Sequence, residues 1–146
     1  MSNNNLWDTR YAQSTFVYGT KPNTFFKQEL QKINPGTLLL PAEGEGRNAV
    51  FAASLGWQVL AFDSSIEAQK KAKALAAQKH VEISYSIANA LTFSTQNQVD
   101  VIGLIFTHFP NKIKATVFKN IVKQLRLGGI LIFECFCSCN PKQLSS

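Results

Sequence analysis

The run Gly44-Glu45-Gly46-Arg47-Asn48-Ala49 has the form G-x-G-x-x-A, and an acidic residue, Asp63, follows it downstream. Glycine allows a tight turn and a close approach of ligand to backbone. A helix that opens at such a turn leaves amide donors directed outward. A carboxylate roughly 20 residues further on suits the hydroxyls of a ribose. Read as architecture alone, the glycines make an ordinary strand-to-helix turn, and Asp63 caps the next helix beside Ser64. His108 is the candidate general base, with a plain loop histidine as its other reading; His80 follows a lysine-rich stretch and is expected in solvent. Cys135, Cys137 and Cys139 alternate, which in a strand places three thiols on one face. No further Cys or His group completes a tetrahedral metal set by local spacing, so no metal is expected.

The elements that must position these groups alternate regularly. Asn23 is a plausible N-cap after Pro22, and Phe26, Leu30 and Ile33 follow at helical spacing until Pro35-Gly36. Thr37 to Leu40 reads as a strand, Gly44-Glu45-Gly46 as a turn, and Asn48 to Leu55 as a helix stopped by Gly56. Gln58 to Phe62 is a second strand ending at Asp63. Ser64 and Glu67 make an S-x-x-E capping box for a helix to about Gln78. Glu82 to Ser86 is a third strand and Val99 to Phe106 a fourth. Pro110 suits the first turn of a helix that carries Ile113, Val117, Ile121 and Leu125 and stops at Gly128-Gly129. Ile130 to Phe136 is the fifth strand. Strand–helix alternation with continuous apolar strands predicts an α/β fold, a parallel sheet covered by helices on both faces. Ligands in such sheets sit beyond the carboxyl ends of the strands, here after Leu40, Phe62, Ser86 and Phe106.

The chain has 146 residues, enough for one domain with a core, and its 45% apolar and 16% charged content is that of a globular protein. No apolar run reaches the ~20 residues of a membrane span, and the opening Met1-Ser2-Asn3-Asn4-Asn5 is no signal peptide. The expected location is cytoplasmic. The net charge of +6 raises nucleic acid as a partner. The lysines are dispersed, however, and Lys112, Lys114, Lys119, Lys123 and Arg126 read as the solvated face of one amphipathic stretch. Nucleic acid is therefore not the favoured partner.

Turn and acid together point to an adenosine-type ligand, either a dinucleotide such as NAD or S-adenosylmethionine. A full dinucleotide fold has two mononucleotide-binding halves, and this sequence supplies one plus two further strands. Length favours S-adenosylmethionine and leaves a NAD-binding oxidoreductase as the lesser reading.

The segment from Leu38 to Ala49 resembles the first motif of class I S-adenosylmethionine-dependent methyltransferases. Trp7-Asp8-Thr9-Arg10-Tyr11, Phe16 to Asn23, Asp100 to Pro110 and Leu127-Gly128-Gly129 are similar to the tellurite-resistance or thiopurine-methyltransferase-like subgroup, in the same order. The resemblance covers nearly the whole chain. It implies a Rossmann-like, doubly wound sheet of five mostly parallel strands in a single domain, residues 1–146, with a lid-like segment over residues 1–22. It implies that Gly44 and Gly46 admit the methionine end of the cofactor and that Asp63, with Ser64 beside it, holds the ribose. Asn89 and Ala90 would flank the adenine. Phe106, Thr107 and His108 would line the methyl-transfer side, and Trp7, Arg10, Tyr11 and Tyr18 would belong to the lid. The implied activity is methyl transfer to a small-molecule acceptor.

The sequence departs from the family pattern at several points. Ala42 stands where the first glycine falls, Leu40 where an acid often ends the first strand, and Asn89 where Asp is frequent. The usual last two strands are lacking, so a shortened methyltransferase-fold remnant acting as a binding module is the alternative. The fifth strand would then be an exposed edge bearing Phe133 and Phe136, open to homo-oligomer formation.

Overall fold

The computed structural model describes residues 8–12, 16 and 19–135. Helix α1 (Thr24–Leu30) begins as expected: the Asn23 side chain accepts the Phe26 N–H at 2.9 Å, and Phe26 and Leu30 are buried. Strand β1 (Thr37–Pro41), helix α2 (Arg47–Ser54), strand β2 (Gln58–Asp63), helix α3 (Ile66–Gln78) and strand β3 (Ser84–Ile87) then alternate. Strand β4 (Val99–Ile105), helix α4 (Lys114–Val122) and strand β5 (Leu125–Glu134) complete the described chain. All pairings are parallel, and the strand order is β3-β2-β1-β4-β5.

Period-two alternation splits the core into two layers. Leu38 and Leu40 of β1, Ala61 of β2 and Val101 of β4 pack with Phe26 and Leu30 of α1, Ala49 and Ala52 of α2, and Ala72 of α3. Leu39, Phe62, Ile102 and Leu104 point the other way, against Val117 and Ile121 of α4 and residues 88–93. The fold is thus the expected Rossmann-like α/β sandwich with helices on both faces.

Three local expectations are corrected. The cap of α3 is Ser65, whose Oγ accepts the Ala68 N–H at 3.1 Å. The Asp63 carboxylate holds the Ser65 N–H at 3.1 Å, which delays the helix start by one residue past Ser64. Glu67 lies in the first turn and reaches Lys70 across 3.4 Å of exposed surface, not the cap. Helix α4 begins four residues after Pro110, whose carbonyl accepts the Ile113 N–H at 3.0 Å. The helix also ends earlier than its periodicity implies, because Leu125 leaves it to pair with Val99 in the sheet. Gly128 and Gly129 lie within β5, not at a helix end. They fall where the register jumps from Val99↔Leu125 to Val101↔Ile130, and Gly128 takes a φ of +77° in that bulge.

Strands β3 and β5 are the outer strands of the described sheet. On β5 the Phe133 ring is 44% exposed and packs edge-on to Phe118, with centroids 5.9 Å apart. Phe136, Cys137 and Cys139 lie outside the described residues, and Cys135 is exposed. Among the described residues no helix is long and apolar enough to cross a membrane.

Candidate functional site

Strand β1 leads across to β2 on one side, while its other neighbour, β4, leads away to β5. Connections that diverge in this way leave a crevice beyond the strand ends. A cavity of about 420 Å³ occupies that place. Its walls come from the ends of β1 (Leu40 to Glu43), β2 (Phe62 to Ser64) and β3 (Ala88 to Ala90), and from the loop after β4 (Ile105 to Pro110). Arg47 and Asn48, at the start of α2, and Tyr11 close the remaining sides.

The glycine turn and Asp63 meet directly. Asp63 Oδ2 accepts the Gly44 N–H at 2.9 Å, and the Gly44 carbonyl accepts the Tyr85 hydroxyl at 2.6 Å. Burial and nearby carboxylates push the Tyr85 phenol up, so it remains a donor. Gly44 and Gly46 have φ of +69° and +91°, a region that favours glycine. A Cβ on Gly46 would lie 2.6 Å from Ala72 Cβ and 2.8 Å from its Cα, and one on Gly44 would lie 2.8 Å from the Tyr11 hydroxyl. Neither glycine is among the residues lining the cavity; they shape the wall by closing it onto α3 and Tyr11.

Asp63, Ser64, Asn89, Ala90, Phe106, Thr107 and His108, scattered in sequence, line this one cavity. Burial raises the Asp63 carboxyl above its ordinary range, against the lowering effect of the Ser65, Gly44 and Ser64 backbone N–H groups. Asn89 Oδ1 accepts the Leu91 N–H at 2.8 Å. His108 is exposed at the mouth. Arg10 lies exposed on the helical turn of residues 8–11 and is not among the lining residues, whereas Tyr11 of the same turn is buried and is one of them. Trp7 and Tyr18 lie outside the described residues.

Besides Tyr85, sequence reasoning missed four supports of the site. Glu43 lines the cavity, its Oε2 accepting the Ala49 N–H at 2.7 Å. Burial pushes its carboxyl up to about 8, although hydrogen bonds and the Arg47 charge pull the other way. The buried Glu45 carboxylate pairs with Lys71 of α3 at 2.7 Å and pins the turn. Asn48 Oδ1 accepts the Asn23 N–H at 2.9 Å and ties α1 to the cavity wall. The Ser65 hydroxyl donates to Asp8, fastening the 8–11 turn beside β2. Only Glu43 had a visible signal, a carboxylate adjoining the glycine turn. Ala42 and Phe106, both lining the cavity, hold φ of +50°. For residues with a Cβ this costs about 1–2 kcal/mol each, and such strain concentrates at functional sites.

The parallel sheet, the crevice at its switch point and a carboxylate hydrogen-bonded to a glycine turn define a Rossmann-like α/β protein with a cavity beyond its strand ends. A model of the family described as "Methyltransferase domain" matches residues 41–129, and the chain belongs to that family. No curated protein sequence matches it. Among solved structures, it is similar to one described for the conversion of a disulfide bond into a thioacetal group during echinomycin biosynthesis. That match has 18% identity and a TM-score of 0.77, over 89% of this chain and 57% of that one. It is also similar to a SAM-dependent methyltransferase from Geobacter sulfurreducens in complex with S-adenosyl-L-homocysteine, at 17% identity and a TM-score of 0.68, over 86% and 53%. A third is the N-methyltransferase NodS from Bradyrhizobium japonicum WM9, likewise in complex with S-adenosyl-L-homocysteine, at 18% identity and a TM-score of 0.68, over 88% and 70%. The chain thus spans a little over half the length of the first two.

Proposed function

We propose that this cavity binds S-adenosylmethionine and that the protein is a methyltransferase acting on a small-molecule acceptor. The observation that carries the reading is the Gly44–Asp63 hydrogen bond at the cavity rim, in a chain of the methyltransferase-domain family. A volume of about 420 Å³ with a mixed apolar and polar lining lies in the range of cofactor pockets. The Asp63 carboxylate accepts from the backbone N–H groups of Gly44, Ser65 and Ser64, and an ionised carboxylate has about four acceptor sites. The remaining capacity suits the ribose, with Ser64 beside it. Asn89 and Ala90 flank the adenine, and the bends at Gly44 and Gly46 shape the methionine end.

When bound, the cofactor supplies a methyl carbon activated by an adjoining sulfonium. The protein's part is to align the acceptor with that carbon and exclude water. Phe106, Thr107 and Phe109 wall the acceptor side, with Trp7, Arg10, Tyr11 and Tyr18 as a lid. His108 takes the acceptor's proton where the nucleophile is a hydroxyl or an amine, whereas a thiolate needs no base. The proposal places the chain in the tellurite-resistance or thiopurine-methyltransferase-like subgroup, on the sequence motifs that resemble it. The remaining parts of the proposal are a single domain over 1–146, a cytoplasmic location and self-association through the β5 edge. The family match supports methyl transfer over a nicotinamide reaction.

Calorimetry tests the reading. Wild-type protein is expected to bind S-adenosylmethionine and S-adenosylhomocysteine, and Asp63→Ala to weaken both about 100-fold, equivalent to ~2.7 kcal/mol. Preference for NAD, or unchanged binding by Asp63→Ala, overturns it. Binding without turnover of thiol, hydroxyl or amine acceptors would make the protein a binding module.

A further inference from the structure

We propose that Asn120, in the last turn of α4, and Gln124, just beyond it, are positioning residues that set the nucleobase wall of the cavity and with it the preference for adenine. The inference rests on the cofactor reading above. The wall is made by residues 88–90, which line the cavity past β3. The sheet reaches as far as Ala88, whose N–H donates to the Asp63 carbonyl at 3.1 Å. Asn89 and Ala90 lie beyond it and need other support.

Two sets of hydrogen bonds supply that support. The first is local. Asn89 Oδ1 accepts the Leu91 N–H at 2.8 Å, and the Asn89 carbonyl accepts the Thr92 and Phe93 N–H groups at 3.1 and 2.9 Å. A single turn of this kind is marginal in isolation and leaves carbonyls at its far end to be satisfied from elsewhere. The second set satisfies them. Asn120 Nδ2 donates to the Ala90 carbonyl and to the Phe93 carbonyl, both at 2.9 Å. Both partners are acceptors, so the amide must present its nitrogen to them. The buried Gln124 accepts the Thr95 N–H and hydroxyl at 3.0 Å each and donates to the Asn120 carbonyl at 3.1 Å.

The anchor is firm. Val117 and Ile121, both buried, hold α4 against Leu39 and Ile102 of the sheet. On the other flank the Phe93 ring stacks on Phe62, which also lines the cavity, with centroids 4.2 Å apart. Every group in the clamp is uncharged, so its grip is independent of pH near neutrality. A purine is read by where fixed donors and acceptors fall, and a hydrogen bond weakens steeply once its geometry is lost. Adenine and hypoxanthine differ along one edge, an amino group against a carbonyl. A wall held in one place separates the two, whereas a loose wall adjusts to either.

The test is calorimetry on the full chain with S-adenosylhomocysteine and its hypoxanthine analogue, S-inosylhomocysteine, alongside thermal unfolding of each protein. Wild type is expected to favour the adenine ligand by about tenfold or more. Asn120→Ala is expected to weaken S-adenosylhomocysteine about tenfold and to bring the two ligands within about threefold of each other. Asn120→Ser keeps one donor and should fall between; it carries the same comparison should the alanine variant not fold. Ile121→Val, a core change in the same helix, is the control for stability. It should lower Tm and leave the ligand preference of wild type intact. Erosion of that preference by Ile121→Val as much as by the Asn120 variants would overturn the proposal in favour of general support. An unchanged preference in both Asn120 variants would also overturn it, as would a wild type that binds the two ligands alike. Each of these three results leaves the cofactor reading standing. A wild type that binds neither ligand overturns the cofactor reading and this inference together.

Discussion

At the carboxyl ends of the strands, burial holds Glu43 and Asp63 above the ordinary carboxylate range; at the amino ends, Asp100 is held below it. Asp100 Oδ2 accepts both the N–H and the hydroxyl of Thr37, at 2.9 and 3.0 Å. Its own N–H donates to the Thr37 hydroxyl at 2.9 Å, and Arg126 Nε approaches Oδ1 at 2.6 Å. That carboxylate clamps the first residue of β1 to the adjacent strands and favours its charged form. Glu43 and Asp63 are instead taken out of water close to one another. The same residue class, placed at opposite ends of one sheet, therefore serves two purposes. One end is assembled to hold, and the other keeps two carboxyls out of water close to one another.

The largest expected loss lies in the turn that builds the carboxyl end. Gly46→Ala would force a Cβ into the α3 backbone at Ala72 and strain a φ of +91°, for a loss of about 3 kcal/mol in urea unfolding. A loss under 1 kcal/mol would mean that the turn yields easily, and the contrast between the two ends would need redrawing.

Next are opposite pH signatures. Because Glu43 binds its proton more tightly when folded, its contribution is complete below its ordinary value of 4.5 and is lost as pH rises to about 8. Glu43→Gln should therefore gain stability relative to wild type across that window, on the order of 4 kcal/mol by pH 8, and little more above it. Asp100 has the reverse sign. Its contribution is present above the ordinary aspartate value of 3.8 and is lost as pH falls through and below it. Asp100→Asn should be the smallest effect, about 0.5 kcal/mol at neutral pH because solvent screens this exposed pair, and should vanish in acid. Matching pH profiles for the two variants would abolish the comparison.

Much of this was legible in sequence. The continuous apolar runs at Thr37–Pro41 and Val99–Ile105 announced buried parallel strands, and the glycine turn with Asp63 announced the rim. What escaped was set by tertiary partners. The S-x-x-E pattern pointed to Ser64 as the cap, but the Asp63 carboxylate takes the Ser65 N–H and the cap falls on Ser65. Leu125 fits the helical period of Val117 and Ile121, but pairing with Val99 draws it into the sheet. Glu43 stood in plain view beside the turn, yet only the folded cavity wall shows that its carboxyl is raised by burial. Tyr85 gave no sign of supporting Gly44 from 41 positions away.

The Ser65 hydroxyl works in two directions at once. It receives the Ala68 amide of α3 and donates to Asp8 in the turn at residues 8–11. Lifting that leading segment away would leave the hydroxyl free to rotate and loosen its grip on the helix end. Deuterium uptake at the Ala68 amide is therefore a remote gauge of whether the front of the chain is seated, readable without any ligand present.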